Sequence, residues 1–498
     1  MNDSHSGNPR TNTPQSSSIN LPAIARQVMQ AHGFEPDFPP EVQKQLADIS
    51  AHPPQLTPSD KVRDLRNLLW SSIDNDTSKD LDQIEVAERL PNGDVKVMIG
   101  IADVDAFVPK DSPIDQHAER ETTSVYTGVT IFPMLPNQLS TGASSLLPDV
   151  DRPAVVTEFV VDAGGELKSS NVYRAIVRNK AQLTYNGVGA WLDGSAAAPP
   201  KVAASADLQA QLKLQDQVAQ SLKKLRYEHG ALDLDTSEIV PLLYDGQVVD
   251  VVKATKNRAT DLIEDFMVAA NGVVARLLEK VSSLRRIVRT PAHWDGIVRL
   301  AAEQGEKLPA TPDSKALNDF LVKRKAADPD HFADLSLAVI KLVGPGEYIL
   351  ERPGDSPEGH FGLAVQDYTH STAPNRRFPD IVTQRLIKAS LDGKSGFYSD
   401  NDLAAIASNC TEKGDAARKV EREMSKRLAA MAMSNHVGET FDAMVTGATS
   451  KGTFVRVVQP HMEGLLTQGA QGLQVGDKLR AKLVRTDVTH GFIDFVKV

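Results

Sequence analysis

The sequence predicts an α+β protein: a mixed α/β unit, a small all-β barrel behind it and a short helical module in front. Three observations carry this. Alternating apolar residues on either side of Asn92-Gly93, in IEVAERLPNGDVKVMIGIADV, mark a β-hairpin. Long stretches with helical spacing, such as LQAQLKLQDQVAQSLKKLRYEHG and DLIEDFMVAANGVVARLLEKV, dominate the later part of that unit. The last sixty residues change character and break into short strands separated by Gly-containing turns.

In chain order, residues 1–20 are polar and rich in Ser, Asn and Pro, the composition of a disordered tail. They lack the basic start and apolar stretch of a signal peptide. LPAIARQVMQAHGF has helical spacing at Leu21, Ile24, Val28 and Met29. PPEVQKQLADIS follows a Pro-rich break with Pro at its start, so residues 21–60 read as a helical module and linker. This module either packs on the core or binds nucleic acid as a helix-turn-helix. The mixed α/β unit runs over 61–434, with strands early, helices later and no internal repeat. Residues 435–498 hold five strands that fit a small barrel of OB type. Phe454 and Phe492 in that barrel are either core aromatics or a stacking surface for bases.

The chain has 498 residues, room for roughly three domains. Its net charge of −10 argues mildly against a nucleic-acid partner, because phosphate binding is driven by Lys and Arg. The distribution weakens that argument: Arg376 to Lys388 carries four basic residues and one acid. A single cysteine, Cys410, excludes an internal disulfide and a multi-cysteine zinc site, and suits a reducing cytoplasm. No run of about eighteen apolar residues occurs, so no membrane span is expected.

Several chemistries are excluded by pattern. DGKSG at 392–396 is no phosphate loop, since Lys388 stands where the upstream Gly belongs. HExxH, a Gly-rich dinucleotide fingerprint and GxSxG are all missing, and no organic cofactor is implied. Two stretches stand out instead. In SSIDNDTSKDLDQIEVAERL, five acids (Asp74, Asp76, Asp80, Asp82 and Glu85) fall within twelve positions. Such a run is either a solvated acidic loop or an oxygen-rich site for a divalent cation. Arg376 and Arg377 precede a helix starting near Phe378, either as a solvated pair or as a phosphate clamp.

The ordered stretches IDNDTSKDLD, IGIADVDAFV, TTSVYTGVTIFPMLPNQLS, GALDLD, LIEDFMVAAN and HFGLAVQDYTHSTAPNRRFPDIVTQRLI resemble the catalytic RNB domain of the RNase II/RNase R exoribonucleases over roughly residues 71–434. The terminal barrel is similar to the S1-type RNA-binding domain of the same family. The resemblance implies that Asp74, Asp80 and Asp82 hold Mg²⁺ (Mn²⁺ as an alternative) at the scissile phosphate, with Gln83 completing the run. It makes Asp82 the most sensitive carboxylate, with Asp80 beside it, and makes Arg376 the arginine at the reacting phosphate. Tyr126 matches a tyrosine that packs on the terminal nucleotide, and Glu264 a glutamate close to the RNA end. Arg377 and Phe454 are further candidates for RNA contact, and Glu421, in ARKVERE, matches a family position facing the RNA.

Three departures accompany the resemblance. The acidic run normally ends in two aspartates, whereas Asp82 is followed by Gln83. The aromatic opposite the tyrosine corresponds to Leu232. Bacterial members start with two cold-shock barrels, where this chain has the helical segment 21–50. Glu85, two residues beyond Gln83 and on the same strand face, is a candidate to supply the missing carboxylate. The resemblance implies a monomeric cytoplasmic 3′→5′ exoribonuclease that degrades single-stranded RNA to nucleoside 5′-monophosphates. The alternatives are an RNA-binding protein that kept the fold with weakened catalysis, and an endonucleolytic or DNA-directed variant.

Overall fold

A computed structural model describes residues 19–54, 57–235, 239–244, 247–253, 256–329, 331–449, 452–457 and 462–498. The polar tail read from the sequence falls, through residue 18, outside the described residues.

The centre is a seven-stranded mixed sheet. Its order is Val62–Asp64, Leu167–Arg178, Asp151–Val161, Val95–Ala102, Gln83–Arg89, Ser71–Asp74 and Ala181–Thr184. The Asn92-Gly93 hairpin forms as the pattern predicts. Gly93 takes φ +91°, a conformation that L side chains resist, and Gln83–Arg89 pairs antiparallel with Val95–Ala102. One sheet face is covered by the helices Ala206–Glu228 and Arg258–Leu277. Phe266 of the second helix meets Phe159 of the sheet edge-to-face at 6.5 Å, inside a continuous apolar core.

The helix Phe378–Leu391 is buried on nearly every face, including its polar residues. Arg385, fully buried, pairs with Asp105 and Asp115 at 2.7 Å each, and Lys388 reaches Asp103 and Asp105 at 2.9 Å. A buried charge without such partners would cost several kcal/mol, so this network fixes the helix, and the loop before it, against the sheet. Three helices, Trp294–Glu303, Ser314–Ala327 and Phe332–Val343, gather around a smaller core of their own.

The 34-residue helix Asp400–Met433 leads into a closed five-stranded barrel, in the order Thr440–Thr449, Gly452–Val457, Met462–Gln468, Phe492–Lys497, Lys478–Asp487. The barrel is tied on two sides. Arg427 Nε donates to the Thr489 carbonyl at 2.9 Å, and Arg456 makes a two-pronged pair with Asp334 of the three-helix group at 2.7 and 2.8 Å.

The two N-terminal helices, Leu21–Ala31 and Pro40–Ala51, pack on the core. Ala25, Val28 and Met29 join Val125, Phe132, Val420 and Met424 in one apolar cluster. That cluster backs the two-residue strand Val125–Tyr126, a placement with consequences for the site.

Candidate active site

The acidic run folds as a strand, a loop and a strand. Ser71–Asp74 ends on Asp74, and the chain re-enters the sheet at Gln83. Leu81, fully buried, pins the loop between them, and its N–H donates to Ser145 Oγ at 2.9 Å. Extended backbone alternates its side chains, so with Leu81 in the core Asp80 and Asp82 both face the opposite side. A cavity of about 180 Å³ opens there. Its walls include Asp74, Asp80, Asp82, Gln83, Tyr126, Tyr185, Thr372 and Arg376, with Ile263 and Met267 from the helix Arg258–Leu277.

Asp82 is the most constrained of these groups. It is 1% exposed; Oδ1 accepts the N–H of Asn375 at 2.9 Å and Oδ2 accepts Nε of Arg376 at 3.2 Å. Burial pushes its carboxyl up to about 7, against the pull of Arg376 and the Asn375 N–H. Asp74 is raised to about 6 by burial, opposed by Gln83 and Arg376. Gln83 Nε2 donates to Asp74 Oδ1 at 3.2 Å and lies 3.5 Å from the Ile73 carbonyl. The other Asp74 oxygen, Oδ2, is buried without a hydrogen-bond partner. Asp80 accepts the Tyr126 hydroxyl at 3.1 Å.

The Arg376 loop is held from behind. The Arg376 carbonyl accepts the Ser124 N–H at 3.0 Å and lies 3.2 Å from Thr123 Oγ1. Ser144 Oγ donates to Asn375 Oδ1 at 2.6 Å, and Asp380 Oδ1 accepts the Ala373 N–H at 2.8 Å. Tyr126 lies two residues beyond Ser124, so the tyrosine, the arginine and the buried carboxylate share one framework. Glu421 braces it from the long helix, accepting the Tyr126 N–H at 3.3 Å.

Not every residue singled out in the sequence reaches this cavity. Arg377 turns away from it, because neighbours in extended backbone point to opposite sides. It pairs with Asp380 at 2.8 Å instead. Glu264 follows Ile263 by one helical step, about 100° around the axis. This carries it out of the cavity wall to Lys256 at 2.7 Å. Leu232 does not face Tyr126. Its N–H donates to the Gly362 carbonyl at 2.9 Å and its side chain packs on the three-helix core, where an apolar group is better buried. Phe454 stands on the barrel, half-buried, its neighbours Val455 and Val457 taking the interior positions. Phe492 is 54% exposed and stacks on His490 at 5.6 Å.

Sequence reasoning missed Asn375, Ser144, Tyr185 and Thr372. Only the immediate adjacency of Asn375 to Arg376 offered a signal.

An oxygen-lined cavity of this kind suits a hard divalent cation. Among the described residues no three Asp, Glu, His or Cys side chains come together closely enough to hold a metal ion between them. Magnesium characteristically takes one or two carboxylates and completes its shell with water and substrate phosphate, and the unpartnered Asp74 oxygen is such a donor. The residues fit the ion.

Two family models match the chain: the RNB domain over residues 62–393, and the RNase II-type exonuclease C-terminal S1 domain over 439–498. Ribonuclease R of Thermotoga maritima is 28% identical, over 97% of this chain and 71% of that protein. Ribonuclease R 1 of Lactococcus lactis is 30% identical over 92% of this chain, and Ribonuclease R of Escherichia coli 29% over 88%. The chain spans only 59% and 55% of those two relatives. Among solved structures, Mycoplasma genitalium RNase R in complex with ribose methylated single-stranded RNA matches with TM-score 0.84 at 23% identity, over 96% of this chain and 78% of that one. Yeast Ssd1, a pseudonuclease, matches with TM-score 0.72 at 16% identity, over 95% and 57%. The fold therefore occurs with and without catalysis, and the site has to decide between them.

Proposed function

The chain belongs to the RNB family, and on that premise we propose that it is a 3′→5′ exoribonuclease that hydrolyses single-stranded RNA to nucleoside 5′-monophosphates. The observation that carries the reading is the pairing of buried Asp82 with the Asn375 N–H and Arg376 at the wall of an acidic cavity. A scaffold that had given up catalysis would have little reason to keep a carboxylate 1% exposed at such cost.

RNB ribonucleases are metal-dependent hydrolases. In this chain one or two carboxylates drawn from Asp74, Asp80 and Asp82, with the Gln83 amide oxygen beside them, would hold the ion, Mg²⁺ with Mn²⁺ as a substitute, and water and substrate phosphate would complete its shell. When bound, it supplies Lewis acidity for in-line attack by water and for departure of the 3′-oxygen. The protein's own groups do the rest. Arg376, side chain 47% exposed and facing the cavity, offers its terminal N–H groups to the phosphoryl oxygens as charge builds on them. Tyr126 gives the last base a face to stack on, which tolerates any sequence. Asp80 holds the tyrosine ring through its hydroxyl.

The barrel, with seven Lys/Arg against six Asp/Glu over 439–498, would hold the incoming strand. We divide the chain into a tail to residue 20, a helical module and linker over 21–60, the catalytic unit over 61–434 and the barrel over 435–498. We read it as a cytoplasmic monomer. No described helix is long and apolar enough to cross a membrane.

The rival reading, an RNA-binding protein with weakened catalysis, draws on Gln83, which removes one negative charge from the acidic run. Incubating the full chain with 5′-labelled single-stranded RNA and Mg²⁺ separates the two. A ladder shortening from the 3′ end is the expected result. RNA that is bound but stays intact would establish the rival.

A further inference from the structure

Ile131 is a large apolar side chain, 56% exposed, beside the tyrosine of the acidic cavity, and the chemistry above gives it no task. The short strands Val125–Tyr126 and Ile131–Phe132 pair antiparallel, with Val125 opposite Phe132 and Tyr126 opposite Ile131. Directly opposed side chains share one face of such a ribbon, and successive ones alternate. Tyr126 and Ile131 therefore form the front, and Val125 and Phe132, both buried, form the back. Tyr126 stands at the cavity wall, and Ile131 lies one strand further out. With Leu232 packed on the three-helix core, Ile131 is the apolar neighbour that Tyr126 has on this face. Such a surface suits the flat face of a base, whatever the sequence.

The support of the ribbon points the same way. Two strands of two residues have little stability of their own. Their back lies on the first N-terminal helix, where Val125 and Phe132 share an apolar cluster with Ala25, Val28 and Met29, and with Val420 and Met424 of the long helix. Polar contacts fix the same arrangement. His32 Nε2 lies 3.0 Å from Glu423 Oε1, two residues beyond Glu421, whose carboxylate accepts the Tyr126 N–H. The Glu35 N–H meets both oxygens of Glu121 at 3.1 Å, just ahead of the segment 122–124 that leads into the ribbon. Stacking is sensitive to such support, because a gap of about 0.5–1 Å forfeits roughly a quarter to a half of the dispersion attraction.

We propose that Tyr126 and Ile131 together form the platform for the last two bases of the RNA, and that the first N-terminal helix positions it. The last base lies on Tyr126 and the one before it on Ile131. Ile131 touches the substrate, whereas Val28 and Met29 are positioning residues that act through Val125 and Phe132. The inference rests on the reading of Tyr126 as the residue that meets the RNA end.

The test compares two short 5′-labelled RNAs, one intact and one whose last two nucleotides are abasic, binding to the full chain in EDTA by fluorescence anisotropy. The ratio of the two affinities reports the platform, since barrel and phosphate contacts are common to both. Ile131→Ala should cut this ratio by about fivefold, the low end for one base stack. Ile131 is exposed, so the variant should fold like the parent. Val28→Ala and Met29→Ala, each alone, should cut the ratio by about two- to threefold through a loosened stack. Met29→Leu, which keeps the volume, should restore it. Leu21→Ala, on the same helix but packed in the barrel core, is the control for lost bulk. It should lower the melting temperature and leave the ratio unchanged.

An unchanged ratio in Ile131→Ala would overturn the platform. An unchanged ratio in Val28→Ala and Met29→Ala, with melting temperatures lowered as in Leu21→Ala, would make the helix a stability element and overturn its positioning role. A parent ratio near one would take Tyr126 away from the RNA end and the proposal with it. A parent that shows the ratio but cuts no RNA once Mg²⁺ is added would instead refute the hydrolase reading and leave the platform standing.

Discussion

Replacing Asp82 by Asn alters one atom at the centre of the site and leaves the shape almost unchanged. In the parent, Oδ1 takes the Asn375 N–H at 2.9 Å and Oδ2 takes Arg376 Nε at 3.2 Å. An asparagine oriented to keep the first bond turns its own NH₂ toward the guanidinium, placing donor against donor. Arg376 then loses a charge-assisted hydrogen bond worth about 1.5–3 kcal/mol, and with it the contact that aims its terminal N–H groups at the cavity. Stability should hardly fall. The lost bond is offset by removal of a carboxyl that burial already pushes up to about 7, so we expect a net change within about 2 kcal/mol, of either sign. Turnover should drop far more, by about 10²–10³-fold, the scale set by losing one preorganised group at developing charge. Single-turnover hydrolysis of 5′-labelled RNA gives the rate, and fluorescence anisotropy with the same RNA gives affinity. Affinity should stay close to the parent value, because Tyr126 and the barrel are untouched. A folded variant whose turnover is within about tenfold of the parent, under 1.4 kcal/mol of barrier, would refute the assignment. So would an affinity that falls as much as the rate.

Other outcomes follow from the same geometry. Tyr126→Ala should weaken binding of the 3′ end by about 1–3 kcal/mol, one base stack, whereas Tyr126→Phe loses only the hydroxyl contact to Asp80 and should stay near the parent; a Michaelis constant measured for each distinguishes the two. Deleting residues 439–498 should weaken RNA binding and flatten its salt dependence, and an unchanged slope of log affinity against log salt would show that the barrel does not contact the strand. Leu232→Phe should leave the length of the final RNA fragment unchanged, because the residue packs on the three-helix core, and a shorter product on a sequencing gel would place it in the channel after all. His117, fully enclosed beside Phe38, is held down to about 4, first by burial and then by Arg120. A depressed histidine gives stability that is present above its unfolded value near 6.5 and lost as pH falls through its folded value. Denaturant midpoints should therefore fall between about pH 6.5 and pH 4 by the equivalent of about 1–3 kcal/mol, and His117→Phe should flatten that slope.

The barrel, the Asn92-Gly93 hairpin and the long helices were legible because each is written in local periodicity, in alternation of two or 3.6 residues and in turn chemistry. So was the acidic run, as a set of oxygen-bearing residues at close spacing. The family resemblance added the roles of Asp82, Arg376 and Tyr126 from ordered motifs, without geometry. Tertiary structure alone decided which of these groups meet. Arg376 and Asp82 are 294 residues apart in the chain, and their contact depends on where a wholly buried helix is pinned to a sheet. The same packing turned Arg377 toward Asp380, carried Glu264 one helical step out of the cavity and laid Leu232, half-buried, against a separate core. It also docked the apolar face of the first N-terminal helix, with Val28 and Met29 behind the strand that bears Tyr126, which helical spacing alone does not specify. Sequence period fixes which face of an element a side chain occupies, but not what that face meets. The neighbour is set by the burial of distant apolar surface, which no local stretch of residues contains.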